Sequence, residues 1–210
     1  MCETESYRRG REGPSAVNIF RGSRVGDAHE RRILAFVTTL FTERLELAPV
    51  TVPLVEAVLL GDRARLEGIL SASCPVAWPN RALIERAFYA SIDAIKSDPV
   101  TRLWGDRVMI TRQGPRRVVG SVVFHGAPSE AGEVEVAYGV EEDSQCQGYA
   151  TEATRVSVDW ALAHDGVTAV RAATPPWHFA SQKVLERCGL VRVGERESPL
   201  GELWEYERRR

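Results

Sequence analysis

No apolar run in this chain is long enough to span a bilayer, which takes about 20 predominantly apolar residues. The longest apolar stretches are broken by charge or proline, as over residues 49–60. The early arginines are followed by no signal-peptide core before a Gly/Pro/Ser-rich stretch. No sign of charge dominates either. The formal net charge is −2, so nothing global calls for nucleic acid or an anionic membrane as partner. The four cysteines, Cys2, Cys74, Cys146 and Cys188, form no C-x-x-C pair, and no Cys/His cluster has zinc-ligand spacing. A metal site is therefore not expected, and the thiols suit a reducing compartment. Two phosphate-binding signatures are missing as well: G-x-G-x-x-G after a first strand and G-x-x-x-x-G-K-[ST]. By default the expected location is cytoplasmic, with neither nucleic acid nor membrane as partner. Spacing alone leaves a Cys/His/Asp nucleophile open.

What is present suits an ordinary globular protein of 210 residues, 44% hydrophobic and 27% charged. Arg8, Arg9, Arg11, Arg21 and Arg24 sit among Gly and Pro in a leader with little apolar surface to bury. The expected organisation is a mobile extension over 1–37 and one domain over 38–210. The sharper reading of the leader is a basic arm for nucleic acid. Leu45 and Leu47 alternate with charge in a first strand over 40–47. Thr51 is placed as an N-cap with Pro53 in the first turn, and Asp62 as a second cap. A third helix is expected over 82–95, ended by Asp98-Pro99. The period then changes. Strands over 104–110, 118–124 and 133–140, separated by short turns, indicate an antiparallel meander. A helix over 149–164, a strand over 168–173, a helix over 179–187 and short strands over 190–193 and 203–206 complete the chain. A mixed sheet with helices on both faces is the natural packing.

The informative stretch is Gln145-Cys146-Gln147-Gly148-Tyr149-Ala150, between a strand and the start of a helix. Unsatisfied N–H groups and the macrodipole at a helix N-terminus favour a diphosphate. Gly148 lets the backbone approach phosphate oxygens, and Ala150 is small enough to keep that approach open.

The Q-x-x-G-x-A pattern after an antiparallel strand resembles the coenzyme A pyrophosphate loop of the GNAT superfamily. The surrounding blocks strengthen the likeness. Val134 to Val140 resembles the family's fourth strand, Gly148 to Ala153 the start of its third helix, and Ser181 to Leu190 its last helix and the strand that follows. Together they are similar to the branch of ribosomal-protein N-terminal acetyltransferases, from about Trp104 to Glu195. The resemblance implies the GNAT α/β fold, a mixed and mostly antiparallel central sheet flanked by helices on both faces. It also implies direct transfer of acetyl from acetyl-CoA to a primary amine, on a small molecule or a peptide N-terminus.

Carried over by position, the resemblance puts the pantetheine arm on the backbone of Tyr138, Gly139 and Val140. It puts the pyrophosphate on Gln145, Cys146, Gln147, Gly148, Tyr149 and Ala150, with Thr151 behind. Glu135 matches an acidic strand position and is the candidate base, because an alkyl ammonium with a pKa near ~10.4 must lose a proton before it attacks. Glu133 shares its face by period two. Two positions depart from the pattern. Leu185 stands where many members carry a tyrosine acid, which leaves Ser181 as candidate acid. His178 stands where an Asn commonly contacts CoA, and it retains a hydrogen-bond donor. Trp78, Trp104 and Trp177 are expected in the core or a pocket wall, and Trp78 with Phe88 could line the acceptor site. The missing tyrosine keeps open a second class of function, a catalytically silent CoA-binding sensor or interaction module. Oligomeric state stays open between monomer and dimer.

Overall fold

The computed structural model describes residues 38–76, 78–79, 92–199 and 201–210. The expected leader and Phe88 lie outside these residues. So does most of the expected third helix. The elements in chain order are β1 (Leu40–Phe41), β2 (Leu45–Pro49), α1 (Val52–Leu60), α2 (Arg63–Leu70), α3 (Ile92–Ser97), α4 (Pro99–Arg102), β3 (Arg107–Thr111), β4 (Val118–Phe124), β5 (Glu133–Val140), a 3-10 turn (Glu142–Ser144), α5 (Tyr149–Leu162), β6 (Ala169–Thr174), α6 (Phe179–Arg187), β7 (Val191–Ser198) and β8 (Gly201–Arg209). The strands form one sheet in the order β1-β2-β3-β4-β5-β6-β8-β7. Every neighbouring pair is antiparallel except β5 with β6. This is the mixed, mostly antiparallel sheet expected.

Two apolar cores lie on opposite faces of the sheet. On one face, α5 and α6 bury Ala153, Val158, Ala161 and Leu185 against Leu45, Met109, Val122, Val134 and Val170. On the other, α1, α2 and α3 bury Leu54, Val58, Leu66 and Ile95 against Val108, Ile110 and Val118. A strand covered on both faces loses its alternation and reads as an apolar run. This accounts for β4, Val-Val-Gly-Ser-Val-Val-Phe, buried at every position. β5 is covered on one face along its first half, so Val134 and Val136 are buried while Glu133 and Glu135 are half-buried.

Local signals acted as expected in part. Gly61 takes φ 65° and closes α1 with its N–H on the carbonyls of Ala57 and Val58. Asp62 accepts a hydrogen bond from Arg65 N–H, 3.0 Å, at the start of α2. Thr51 occupies the N-cap of α1 without a side-chain capping bond. Pro99 opens the short helix α4, for which Asp98 is the N-cap, accepting from Thr101 N–H at 3.2 Å. Trp104 precedes β3 instead of entering it, because the chain turns at Gly105 with φ 75°. A Cβ at Gly105 would stand 2.5 Å from the Phe124 ring. Trp104 packs edge-on to Phe124, with centroids 5.2 Å apart, in the core.

Candidate functional site

β5 is joined unequally to its two neighbours. Val136 to Val140 pair with Phe124 to Gly120 of β4 without a register shift. Bonds from His125 N–H to the Glu135 carbonyl and from Glu141 N–H to the Val119 carbonyl, both 2.9 Å, extend that ladder at either end. To β6 the strand pairs only at Glu133, Val134 and Glu135, opposite Ala169, Val170 and Arg171. β6 then continues to Thr174 on β8 alone. The sheet therefore opens into a wedge above Glu135. Along an antiparallel strand, main-chain groups point alternately to either flank. With Glu135 and Glu141 bonded toward β4, the main-chain groups of Val136, Tyr138 and Val140 turn to the wedge, and those of Gly139 turn toward Ser121. Sequence reading by motif passed over Val136, although strand parity alone marks it.

The wedge holds a cavity of about 300 Å³, lined among others by Glu135, Tyr138, Trp177, Ser181, Leu185 and Arg196. The lining comes from both faces of the sheet. Glu135 and its cross-strand neighbour His125 project on one face; Val136 and Tyr138 project on the face that α6 covers. The Glu135 carboxylate lies 3.4 Å from Arg196 Nη2 and 3.8 Å from His125 Nδ1. Glu133, on the same face, is instead tied to Arg171 at 2.8 Å and is not among the cavity-lining residues. On the other face, the Tyr138 hydroxyl is 3.0 Å from both the carbonyl and the Oγ of Ser181. Leu185, one turn further along α6, is 1% exposed and gives the cavity an apolar wall. His178 is the N-cap of α6 without a side-chain capping bond. Its ring stacks on that of Trp177 at 5.6 Å.

Beyond β5 the chain makes the 3-10 turn and reaches the N-terminus of α5. Gln145 Nε2 donates to the Val140 carbonyl at 3.2 Å, folding the loop back on the strand. Cys146, with φ 58°, and Gly148, with φ 81°, both adopt left-handed backbone. That conformation costs little for glycine and more for any other residue. Gly148 is the N-cap, with no side chain to offer the helix. The first bond of the α5 ladder runs from Glu152 N–H to the Gly148 carbonyl, 3.1 Å. The N–H groups of Tyr149, Ala150 and Thr151 precede it and point along the helix axis, as an anion at a helix N-terminus requires. The residues present thus fit a diphosphate continuous with an acyl-bearing arm in the wedge.

A carboxylate and a guanidinium from distant parts of the chain hold this loop. Glu152 accepts from the Thr42 hydroxyl, from Arg44 N–H at 3.0 Å and from Arg44 Nε at 2.7 Å. Arg44 Nη1 donates to the Gln147 carbonyl at 2.9 Å, and its guanidinium lies 4.8 Å from the Tyr149 ring centre. Burial pushes the Glu152 pKa up, and the hydrogen bonds from Thr42 and Arg44 outweigh it, leaving a net value below the usual carboxylate range. In sequence Glu152 reads in two ways, as a residue that orients the loop or as an acid suited to the first turn of a helix; its partner Arg44 carries no such signal.

Residues 44–191 match the profile described as Acetyltransferase (GNAT) domain. The chain belongs to the GNAT acetyltransferase family. This GNAT chain is 27% identical over 152 residues to an uncharacterised N-acetyltransferase, YjdG, of Bacillus subtilis, covering 72% of this chain and 89% of the relative. Its fold is shared by a putative ribosomal-protein-serine acetyltransferase from Vibrio cholerae, with 18% identity, TM-score 0.55, 84% of this chain and 99% of that one. A ribosomal-protein-S5-alanine acetyltransferase from Vibrio fischeri superposes with TM-score 0.55 at 17% identity, covering 82% of this chain and 96% of that one.

Within the GNAT framework several side chains have plain structural work. Cys188 is buried, its thiol pushed up to about 11 by that burial, and it donates to the Thr151 carbonyl at 3.6 Å. A thiol so disposed is a poor nucleophile. Trp78 is buried in the second core, with Nε1 donating to Ser121 Oγ at 3.4 Å. Trp177 is 73% exposed and stands at the cavity wall rather than in a core. Among the described residues, no group of His, Cys, Asp and Glu could hold a metal ion, and no helix is long and apolar enough to cross a membrane.

Proposed function

We propose that this GNAT protein transfers acetyl from acetyl-CoA to a primary amine by direct attack, with 38–210 as the catalytic domain and 1–37 as an extension. One observation carries the reading. The wedge joins a carboxylate on one face of the sheet to a hydroxyl on the other through a single cavity. The pantetheine arm lies along the wedge-facing main chain of Val136, Tyr138 and Val140, and the pyrophosphate rests on residues 145–150, backed by Thr151 and flanked by His178. A main-chain N–H of Val136 or Tyr138 polarises the thioester carbonyl. Glu135 takes the ammonium proton, directly or through water, with Arg196 Nη2 3.4 Å from its carboxylate. The amine then attacks, the carbon–sulfur bond breaks, and Ser181 protonates the departing sulfur; the nitrogen gives its second proton to solvent as the amide forms, and Glu135 releases the first to solvent afterwards.

The acceptor is a small-molecule amine or a protein N-terminus. The sequence pattern and the names of the two Vibrio relatives favour the N-terminus of a ribosomal protein. Calorimetry of acetyl-CoA with wild type and with Gly148→Trp tests the donor site. The expected result is binding by wild type and none by the variant, whose melting temperature should fall somewhat because a side chain at φ 81° strains the backbone, with circular dichroism showing that it is still folded. Turnover is read as CoA thiol release with an alanine-initiated peptide, a serine-initiated peptide and a plain alkylamine. Binding without turnover of any of the three would leave the silent CoA-binding module as the better description.

A further inference from the structure

α6 offers the cavity two side chains one turn apart, Ser181 and Leu185. Leu185 has no proton to give. An aliphatic hydroxyl such as that of Ser181 is by itself a weak acid for a thiolate whose conjugate acid titrates near ~8.5, as for cysteine. The structure places a stronger acid directly behind it. Tyr138 projects from β5 across to the first turn of α6, and its hydroxyl is 3.0 Å from Ser181 Oγ. The same hydroxyl is 3.0 Å from the Ser181 carbonyl. Two arrangements of hydrogens fit these heavy atoms. In one, Tyr138 donates to the carbonyl and Ser181 donates to Tyr138. In the other, Tyr138 donates to Ser181 Oγ, and the serine proton is free to point into the cavity that both residues line. Passing between them takes only rotation about two C–O bonds.

We propose that Tyr138 is the proton source behind Ser181, so that a strand tyrosine does the work that Leu185 cannot. As the carbon–sulfur bond breaks, its electron pair stays on sulfur and takes the proton of Ser181 Oγ. Ser181 takes the phenolic proton of Tyr138 in the same motion, and solvent later returns a proton to the phenolate. The donor ends as CoA thiol and both side chains end as they began. Tyr138 acts through Ser181 and is a positioning and proton-supplying residue. The proposal rests on the acyltransferase reading above.

The test is a kinetic cycle of Tyr138→Phe, Ser181→Ala and the double variant, with acetyl-CoA and whichever of the three probe amines wild type acetylates fastest. Tyr138→Phe should lower kcat about tenfold while leaving the KM for acetyl-CoA and the melting temperature nearly unchanged. Ser181→Ala should cost at least as much, and the double variant should be no slower than Ser181→Ala. In Ser181→Thr, which keeps a hydroxyl, activity should return, and with it the sensitivity to Tyr138→Phe. An unchanged kcat in Tyr138→Phe overturns the proposal. So do effects that multiply in the double variant, or a loss that tracks weaker acetyl-CoA binding. If Glu135→Gln is crippled while Tyr138→Phe is not, only this inference fails. If wild type acetylates none of the probes, the acyltransferase reading fails and takes this one with it.

Discussion

The two flanks of β5 make an instructive contrast. On the β4 flank, five consecutive residues are paired and the ladder runs on at either end. Its main-chain donors and acceptors are satisfied inside the protein, and β4 is buried at every position. On the β6 flank the pairing stops after three residues. There the main-chain groups of Val136 and Tyr138 face a cavity. Main-chain groups that line a cavity can bond a ligand lying along them, as the proposed amide-bearing arm would. On the proposed reading, one flank puts its hydrogen bonds into stability and the other offers its main chain to a ligand. Changes on the first should damage the fold, and changes on the second should damage turnover alone.

The largest expected effect lies on the closed flank. A Cβ at Gly120 would stand 2.2 Å from the Gly139 carbonyl oxygen, so Gly120→Ala must force the two backbones apart. Such overpacking should cost about 3 kcal/mol in a denaturant titration, with activity lost in proportion to folded protein. If Gly120→Ala is as stable as wild type, the contrast between the flanks is broken. On the open flank, Glu135→Gln should lower kcat about 100-fold, equivalent to about 2.7 kcal/mol of barrier, with no change in the unfolding midpoint. Equal losses of stability and rate would place Glu135 with the structural residues instead.

A smaller effect is expected at the loop. Glu152→Gln removes the charge that Arg44 and Thr42 bind, and the KM for acetyl-CoA should rise about tenfold with little change in kcat. This carboxylate also has a pH signature. Its folded pKa lies below the ordinary value, so its contribution to stability is fully present above that ordinary value and is lost as pH falls through the folded one. Wild type should therefore lose more stability on acidification than Glu152→Gln, as read by melting temperatures across the acid range. The smallest effect should be Glu133→Gln. This residue shares the face of Glu135 but sits in the paired stretch, bonded to a solvent-exposed Arg171, and such pairs contribute little. Less than a twofold change in kcat is expected, and a large loss would move the base two residues along the strand.

The sequence made the middle of the fold legible and its edges poorly so. β4, β5 and α6 fall where the periodicity puts them, because each has a strong apolar signal set against a polar one. The last hairpin is longer than expected, Val191–Ser198 with Gly201–Arg209. β7 is exposed at most positions, and its pairing with β8 comes from cross-strand registration rather than burial, so its Arg/Glu-rich second half carries no apolar pattern to read. The pyrophosphate loop was visible because its residues are contiguous. Its support is legible only by half: Glu152 sits beside the loop and reads as a residue that could orient it, whereas Arg44, 108 residues away, is not unusual where it stands. The side chain of Tyr138 was missed for a similar reason. The resemblance gives the residue a main-chain role, and only the fold carries its hydroxyl to Ser181, 43 residues away.

A cavity lined from both faces of the sheet also constrains the order of events in time. On the proposed reading the donor lies in the wedge while the amine reaches Glu135 from the face opposite α5 and α6, so neither substrate stands in the other's path. Both can then be present together and the group passes directly between them; of the two cysteines near the site, Cys188 is buried and bonded and Cys146 is exposed, and a covalent relay through either would change the kinetic pattern. Initial velocities measured over a grid of both concentrations should then give intersecting double-reciprocal lines, the mark of a ternary complex, and not the parallel lines of a ping-pong exchange.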